Sequence, residues 1–373
     1  MTTRTSRRWP LALATAACGL AALGGAGLAS ANDGGGDGGA VYVETNAAAG
    51  NAVQVFGRAS DGSLRPGASY ATGGLGTGAG LGSQGALALD DETLLAVDAG
   101  SNDIAVFRAD DGRLRRTDIE PSGGERPISV TVHDGLVYVL NAGGAGNVTG
   151  FRLRHGDLTP LAGSSRPLST GASAPAQVAF SPDGRTVVVT EKATNAIDGF
   201  PVGRDGRLGT AVVTASSGQT PFGFAFDRRG RLFVSEAFGG APGASALSSY
   251  GVARSGALGV LSGTTPTLQT AACWVAVTES GRYAYVTNTG SDSITGYSVS
   301  PSGALALLNP SGVTATTGRG PTDVALSRGS HHLYALGGKD GSISGFRVRS
   351  DGGLTPVSTT SVLPASAVGL VAE

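Results

Sequence analysis

One phrase recurs along this chain, and nothing else about the sequence restricts its fold as much. It is clearest in APAQVAFSPDGRTVVVTEKATNAIDGFPVGRDGRLGTA, beginning at Ala174, and returns from Ala271 and from Gly320, with looser copies from Gly85, Arg126 and Thr220. Its landmark aromatic falls at Phe56, Phe107, Phe151, Phe200, Tyr250, Tyr297 and Phe346, giving spacings of 51, 44, 49, 50, 47 and 49. Seven copies of one supersecondary unit follow, and a unit of that length suits a four-stranded sheet stacked against its neighbours.

Within a copy, the apolar run Val178-Ala179-Phe180 reads as a doubly buried first strand. Pro182-Asp183-Gly184 turns the chain into a second strand over Thr186 to Val189. The alternating Ala196-Ile197-Asp198-Gly199-Phe200 supplies a third, and the Asp205-Gly206 hairpin leads to a fourth from Leu208. With 62 glycines and only 15% charged residues, the composition favours short strands joined by tight turns over long helices.

The first copy starts at its second strand with Val41-Tyr42-Val43, and the missing first strand stands at the other end of the chain, in PASAVGLVAE from Pro364 to Glu373. The expected fold is therefore an all-β, seven-bladed propeller of four-stranded antiparallel blades over residues 40–373. The C-terminal strand pairs into the first blade and leaves no edge at the join.

Upstream, Arg4, Arg7 and Arg8 precede an apolar stretch from Pro10 to Leu28 and then Ala29-Ser30-Ala31, the order of a secretory signal with its cleavage site. Residues 1–31 are read as that signal and 32–39, NDGGGDGG, as a flexible leader. A secreted, extracellular protein is expected. Ser6-Arg7-Arg8 leaves export by the twin-arginine or the general route open. Loss of the three signal arginines leaves 24 basic against 28 acidic side chains with no basic run, which argues against nucleic acid and, after cleavage, against membrane as a partner. Cys273 is then the only cysteine, so no internal disulfide forms, and with no base placed beside it the thiol reads as a small buried apolar group. A monomer without cofactor is expected.

In a propeller, the loops after second strands and those entering first strands share one face around the channel mouth, so a site is sought there. The residues ending the second strands are Asp98, Asn141, Glu191, Glu236 and Asn288, with Gly337 in the last copy; Lys192 and Lys339 follow in the same loops. These seven polar and charged residues are the candidate ligand-binding set. Oxygen ligands in such a ring would suit a cation or polyol, whereas side chains that cap their own loops would hold structure only. An unidentified protein is the other candidate partner for this face. Phe222, Cys273 and Trp274 stand at first-strand entries, where aromatics would plug the channel. His133, His155, His331 and His332 fall in turns of the opposite face and read as solvated.

The repeat phrase P-x-x-V-A-F-S-P-D-G-R, the YVTN at Tyr285 to Asn288 and the recurring D-G-x-L turn resemble the lactonase-type seven-bladed propellers. That family includes 6-phosphogluconolactonases and carboxymuconate-cyclising enzymes, with YVTN-repeat surface proteins as relatives. The resemblance implies His and Arg after the first-strand prolines, and Glu and Arg in loops after second strands. Here Ala176-Gln177 follow Pro175, Phe222-Gly223 follow Pro221 and Thr322-Asp323 follow Pro321; Thr289 stands at the second Arg position and Ala237 at the Glu position. If lactone chemistry persists, Glu191 or Glu236 is the candidate base and Arg126 or Lys192 its electrostatic partner, since a lactone needs an activated water and a donor for the oxyanion. Otherwise the face is a non-catalytic binding surface.

Overall fold

The computed structural model describes Met1 and residues 38–373; the expected signal and nearly all of the leader lie outside the described residues. Among the described residues the first strand is Gly39–Glu44, which begins one residue before the boundary expected at Ala40.

Seven antiparallel sheets follow, each with four strands on its main path. Blade 4 is representative. Pro175–Phe180 lies innermost, then Thr186–Glu191, Ala196–Pro201 and the outer Val212–Ala215. Blades 2, 3, 5, 6 and 7 repeat the order from Leu87–Asp90, Pro127–His133, Pro221–Phe226, Ala272–Val277 and Pro321–Leu326 outward. Two blades gain a two-residue extra strand on the third, Arg166–Pro167 and Ala315–Thr316.

Blade 1 is built from both ends of the propeller. Gly39–Glu44, Ala52–Arg58 and Leu64–Ala71 are completed on the inside by Val368–Ala372. The register sets Val41 opposite Ala372 and Glu44 opposite Val368. The C-terminal closure expected from the two half-copies is thus present, and no inner edge of that blade stands open.

Second strands are the most deeply buried because each lies inside its own sheet and between two neighbouring blades. Thr186–Glu191, Arg231–Glu236 and His332–Gly337 have no exposed residue along their length. β-Branched and aromatic residues there fill the space between sheets. The landmark aromatics Phe56, Phe107, Phe151, Phe200, Tyr250, Tyr297 and Phe346 are all buried in third strands.

A second stitch joins blade to blade. Tyr138 Oη donates to the Gly206 carbonyl at 2.6 Å, Tyr285 Oη to that of Gly352 at 2.8 Å, and Tyr334 Oη to that of Gly62 at 2.8 Å. In each case a second-strand tyrosine reaches the outer hairpin of the next blade, the last of them across the join. Each buried hydroxyl thereby keeps a partner.

Candidate functional site

The second strands end on the face expected to hold the site, with Glu44, Asp98, Asn141, Glu191, Glu236 and Asn288 in blades 1 to 6. All six side chains are fully buried. Glu44 belongs to the same series, although the truncated first copy hides it in the repeat.

Their partners lie within the protein. Glu191 accepts from the Ser169 amide at 2.9 Å, from Ser169 Oγ and from Thr194 Oγ1 at 2.6 Å. Glu236 accepts from the Gly218 amide at 2.8 Å and Ser248 Oγ at 2.6 Å. Asp98 accepts from Thr72 Oγ1 at 2.6 Å and Asn51 Nδ2 at 2.8 Å, and the same Asn51 amide donates to Glu44 at 2.7 Å. Asn141 donates to the Ser122 carbonyl at 3.3 Å, and Asn288 to Thr295 Oγ1 at 2.9 Å.

Ser169, Gly218, Thr72 and Ser122 sit in connections arriving from the preceding blade, so most of these side chains fasten one blade's exit to the next blade's entry. A Cβ at Gly74 or Gly218 would collide with the Asp98 or Glu236 carboxyl, which is why the connections are glycine there. Burial pushes the Asp98 carboxyl up to about 6 and raises those of Glu44 and Glu236. Asp198, on the third strand beside Glu191, is pushed up to about 7 by burial and by that neighbouring carboxylate. The acids that suggested an oxygen-ligand ring are therefore turned into the blades.

The mouth is filled by the chain itself. The connection from blade 1 to blade 2, rich in glycine from Gly73 to Gly85, folds inward so that Leu81, Ser83 and Gln84 are buried. Ser83 Oγ donates to the Ile128 carbonyl at 2.8 Å, and Trp274 Nε1 donates to the Ser83 carbonyl at 2.8 Å. The Gln84 amide donates to Ala176 O at 3.1 Å, while its side chain pairs with both backbone groups of Val275, at 2.9 and 3.1 Å. Blades 3, 4 and 6 are thereby tied to one plug.

Gly223 makes this possible. Equivalent inner-strand residues of other blades bridge to their neighbours: Ser129 Oγ accepts from the Val178 amide, and Gln177 pairs with both backbone groups of Phe224. A side chain at Gly223 would strike Gln84 Oε1 and the Cys273 carbonyl. Gln84 thus supplies the bridge that blade 5 lacks.

Over the plug lie the cations. Lys192 Nζ donates to the Gly82 carbonyl at 2.6 Å and stands 4.6 Å above the Phe222 ring, which packs on Trp274 at 5.3 Å and 60°. Burial holds the Lys192 ammonium down to about 8, with Cys273 opposing the shift and the nearby Arg126 adding to it. Arg126 is exposed at a left-handed φ of 54°, and its amide is fixed by Asn102 Oδ1 at 2.6 Å. Lys339 is exposed in blade 7, its stem lying over Gly320. Cys273 is buried, its thiol pushed up to about 11 by that burial.

Of the candidate residues, the structure sets Lys192 over Phe222, which packs on Trp274, with Arg126 near enough to act on its charge. Asp98, Asn141, Glu191, Glu236 and Asn288 remain beneath. The four histidines lie on the opposite face, but not all are solvated: His332 is buried and opens a second strand, because the adjoining turn is a short helical one. Among the described residues no three His, Cys, Asp or Glu side chains converge as metal ligands.

Seven four-stranded blades closed by a C-terminal strand define a seven-bladed β-propeller. The family description "Lactonase, 7-bladed beta-propeller" matches residues 49–237 and 256–369, and the chain belongs to that family. Similar solved structures include a putative 6-phosphogluconolactonase from Bacteroides uniformis, at 21% identity and TM-score 0.70, covering 89% of this chain and 99% of that one. The periplasmic gluconolactonase of Pseudomonas aeruginosa is 19% identical with TM-score 0.68, covering 90% and 98%. A Lactobacillus plantarum protein is 17% identical with TM-score 0.72, covering 90% and 99%. These likenesses bear on the fold. No curated protein matches the sequence.

Proposed function

We propose that this lactonase-family propeller is an exported, monomeric binding protein whose plugged mouth takes a small anionic ligand of the sugar-acid type without hydrolysing a lactone. The observation that carries the reading is the separation of charge at the mouth: Lys192 stands over the Phe222 ring with the exposed Arg126 near enough to act on its charge, while the carboxylates of Glu191 and Glu236 are buried and bonded within the blades. An ammonium above a half-buried ring, with a guanidinium nearby, suits a carboxylate or phosphate on a ring-shaped carbon skeleton. The buried acids offer nothing to a cation or a polyol.

Hydrolysis asks for a base facing the ligand, within hydrogen-bond reach of a water. Glu191 is bonded to Ser169 and Thr194, Glu236 is held through Oε1 by Gly218 and Ser248 with its Oε2 buried, and the histidines are on the other face. Titration calorimetry with 6-phosphogluconate, gluconate and δ-gluconolactone, beside a hydrolysis assay on the lactone, tests the proposal. Binding of the acids without turnover is expected. Rapid turnover lost in a Glu191→Gln, Glu236→Gln double variant would instead make the chain a hydrolase with those residues as its base. Export rests on the arginines, apolar stretch and Ala29-Ser30-Ala31 of the N-terminus, and an intact-mass measurement of material recovered outside the cell checks it.

A further inference from the structure

In blades 2 to 7 the innermost and second strands are joined by a turn on the face opposite the mouth. Blade 1 has no such turn, since those two strands, Val368–Ala372 and Gly39–Glu44, come from opposite ends of the propeller. Where that turn would sit there is a cleft of about 1270 Å³, walled by the turns of blade 7, blade 2 and the outer hairpin of blade 1.

The two walls differ in charge. Arg58, Arg328 and His331 line the side toward blades 1 and 7 with Glu373, which is bonded to Tyr42 and Arg58, and Asp91, Asp110, Asp111 and the Arg108-paired Glu92 line the side toward blade 2. Among the described residues the side-chain ion pairs use Arg108, His133, Arg185, Arg207, Arg228, Arg231 and Arg349 as cations, so Arg328 and the three aspartates are left without a charged side-chain partner. Arg58 Nε donates to the main-chain carboxylate oxygen of Glu373, the last residue of the sequence, at 3.1 Å, which fixes one guanidinium at the cleft edge. His332, in the same lining, is 5% exposed, and its buried Nδ1 has no hydrogen-bond partner. A buried ring nitrogen left unpaired costs free energy that a ligand group could recover.

We propose that this cleft binds a short peptide with free ends, its carboxylate toward Arg328 and its ammonium toward Asp91, Asp110 and Asp111. A simple anion would meet the acidic wall and a simple cation the basic one. A zwitterion satisfies both, and a cleft at or above the roughly 300–1,000 Å³ of ordinary ligand sites holds several residues. The site lies on the other face from the mouth and does not depend on what the mouth binds.

The test is calorimetry and His-detected NMR on the full chain with trialanine, trilysine and triglutamate, and with the N-acetylated and the C-amidated form of each. Capping either end is expected to weaken binding by about tenfold or more. Arg328→Gln should cost the same for free-carboxylate peptides and nothing for amidated ones, while an Asp110→Asn, Asp111→Asn double variant should do so for free-amine peptides only. Equal affinity for free and capped peptides, or no change in the His331 and His332 signals with any free peptide at about 10 mM, would overturn the proposal.

Discussion

Tyr42 Oη donates to Glu373 Oε1 at 3.0 Å, across 331 positions of sequence, and ties the second strand of blade 1 to the residue that follows its innermost strand. Three more bonds run beside it: the Glu373 amide to Ala40 O at 2.9 Å, Arg58 Nε to Glu373 O, and Ser366 Oγ to Thr45 O at 2.7 Å. Together they hold the ring shut. Val368 and Leu370 add buried apolar area on either side of the join.

Deletion of Ser361 to Glu373 should therefore expose an unpaired inner edge and yield aggregated protein on size exclusion. Tyr42→Phe, which removes one hydrogen bond and keeps the ring packed, is expected to cost about 1 kcal/mol in urea unfolding. A truncated chain that stayed monomeric and melted at the full-length temperature would refute closure by this strand.

Asp323, fully buried in the inner strand of blade 7, accepts from the Val324 amide at 2.8 Å and from the Leu370 amide of the closing strand. Burial pushes its carboxyl from 3.8 up to about 8. Between those values the folded protein keeps a proton that the unfolded chain has lost, so this group's contribution to stability is full below 3.8 and declines as pH rises toward 8. Asp323→Asn should flatten that decline and raise stability near the upper limit by about 1–3 kcal/mol. Urea midpoints across the range read it, and an unchanged slope would refute the assignment.

The plug gives a paired prediction. Gln84→Ala removes both bonds to Val275 and leaves those backbone groups without partners, a loss of about 1–3 kcal/mol. Gly223→Ala puts a methyl group where Gln84 Oε1 and Cys273 O now stand and should destabilise similarly. In the double variant the two losses should be less than additive, because both act on one contact. Full additivity in denaturation would separate Gln84 from Gly223.

Lys192 makes the mouth pH-sensitive. Its ammonium titrates at about 8, so affinity for 6-phosphogluconate should hold below that pH and fall above it. Lys192→Met should bring the affinity down at all pH values while leaving the melting temperature within a few degrees of wild type. A wild-type profile flat through that range would remove Lys192 from the site.

Much of the fold was legible in the sequence. The landmark aromatics counted seven blades, and the half-phrases at Val41 and Pro364 placed the closing strand, because hydrophobic period and turn chemistry are written locally in each copy. The rim residues were legible as positions and opaque as chemistry. Ending a second strand says that Glu191 and Glu236 stand at the mouth end, but whether they face solvent depends on how Ser169 and Gly218, in connections from the preceding blade, fold over them. Nor could the glycines from Gly73 to Gly85 announce a plug, since glycine permits a path without specifying it. The bond from Gln84 to Val275 spans 191 positions and exists only once blades 2 and 6 face each other across a closed channel. Sequence determined the repeat, the turns and the closure, which are local or carried by pattern; tertiary structure decided which charges reach solvent, because that is set by contacts between blades that no single copy contains.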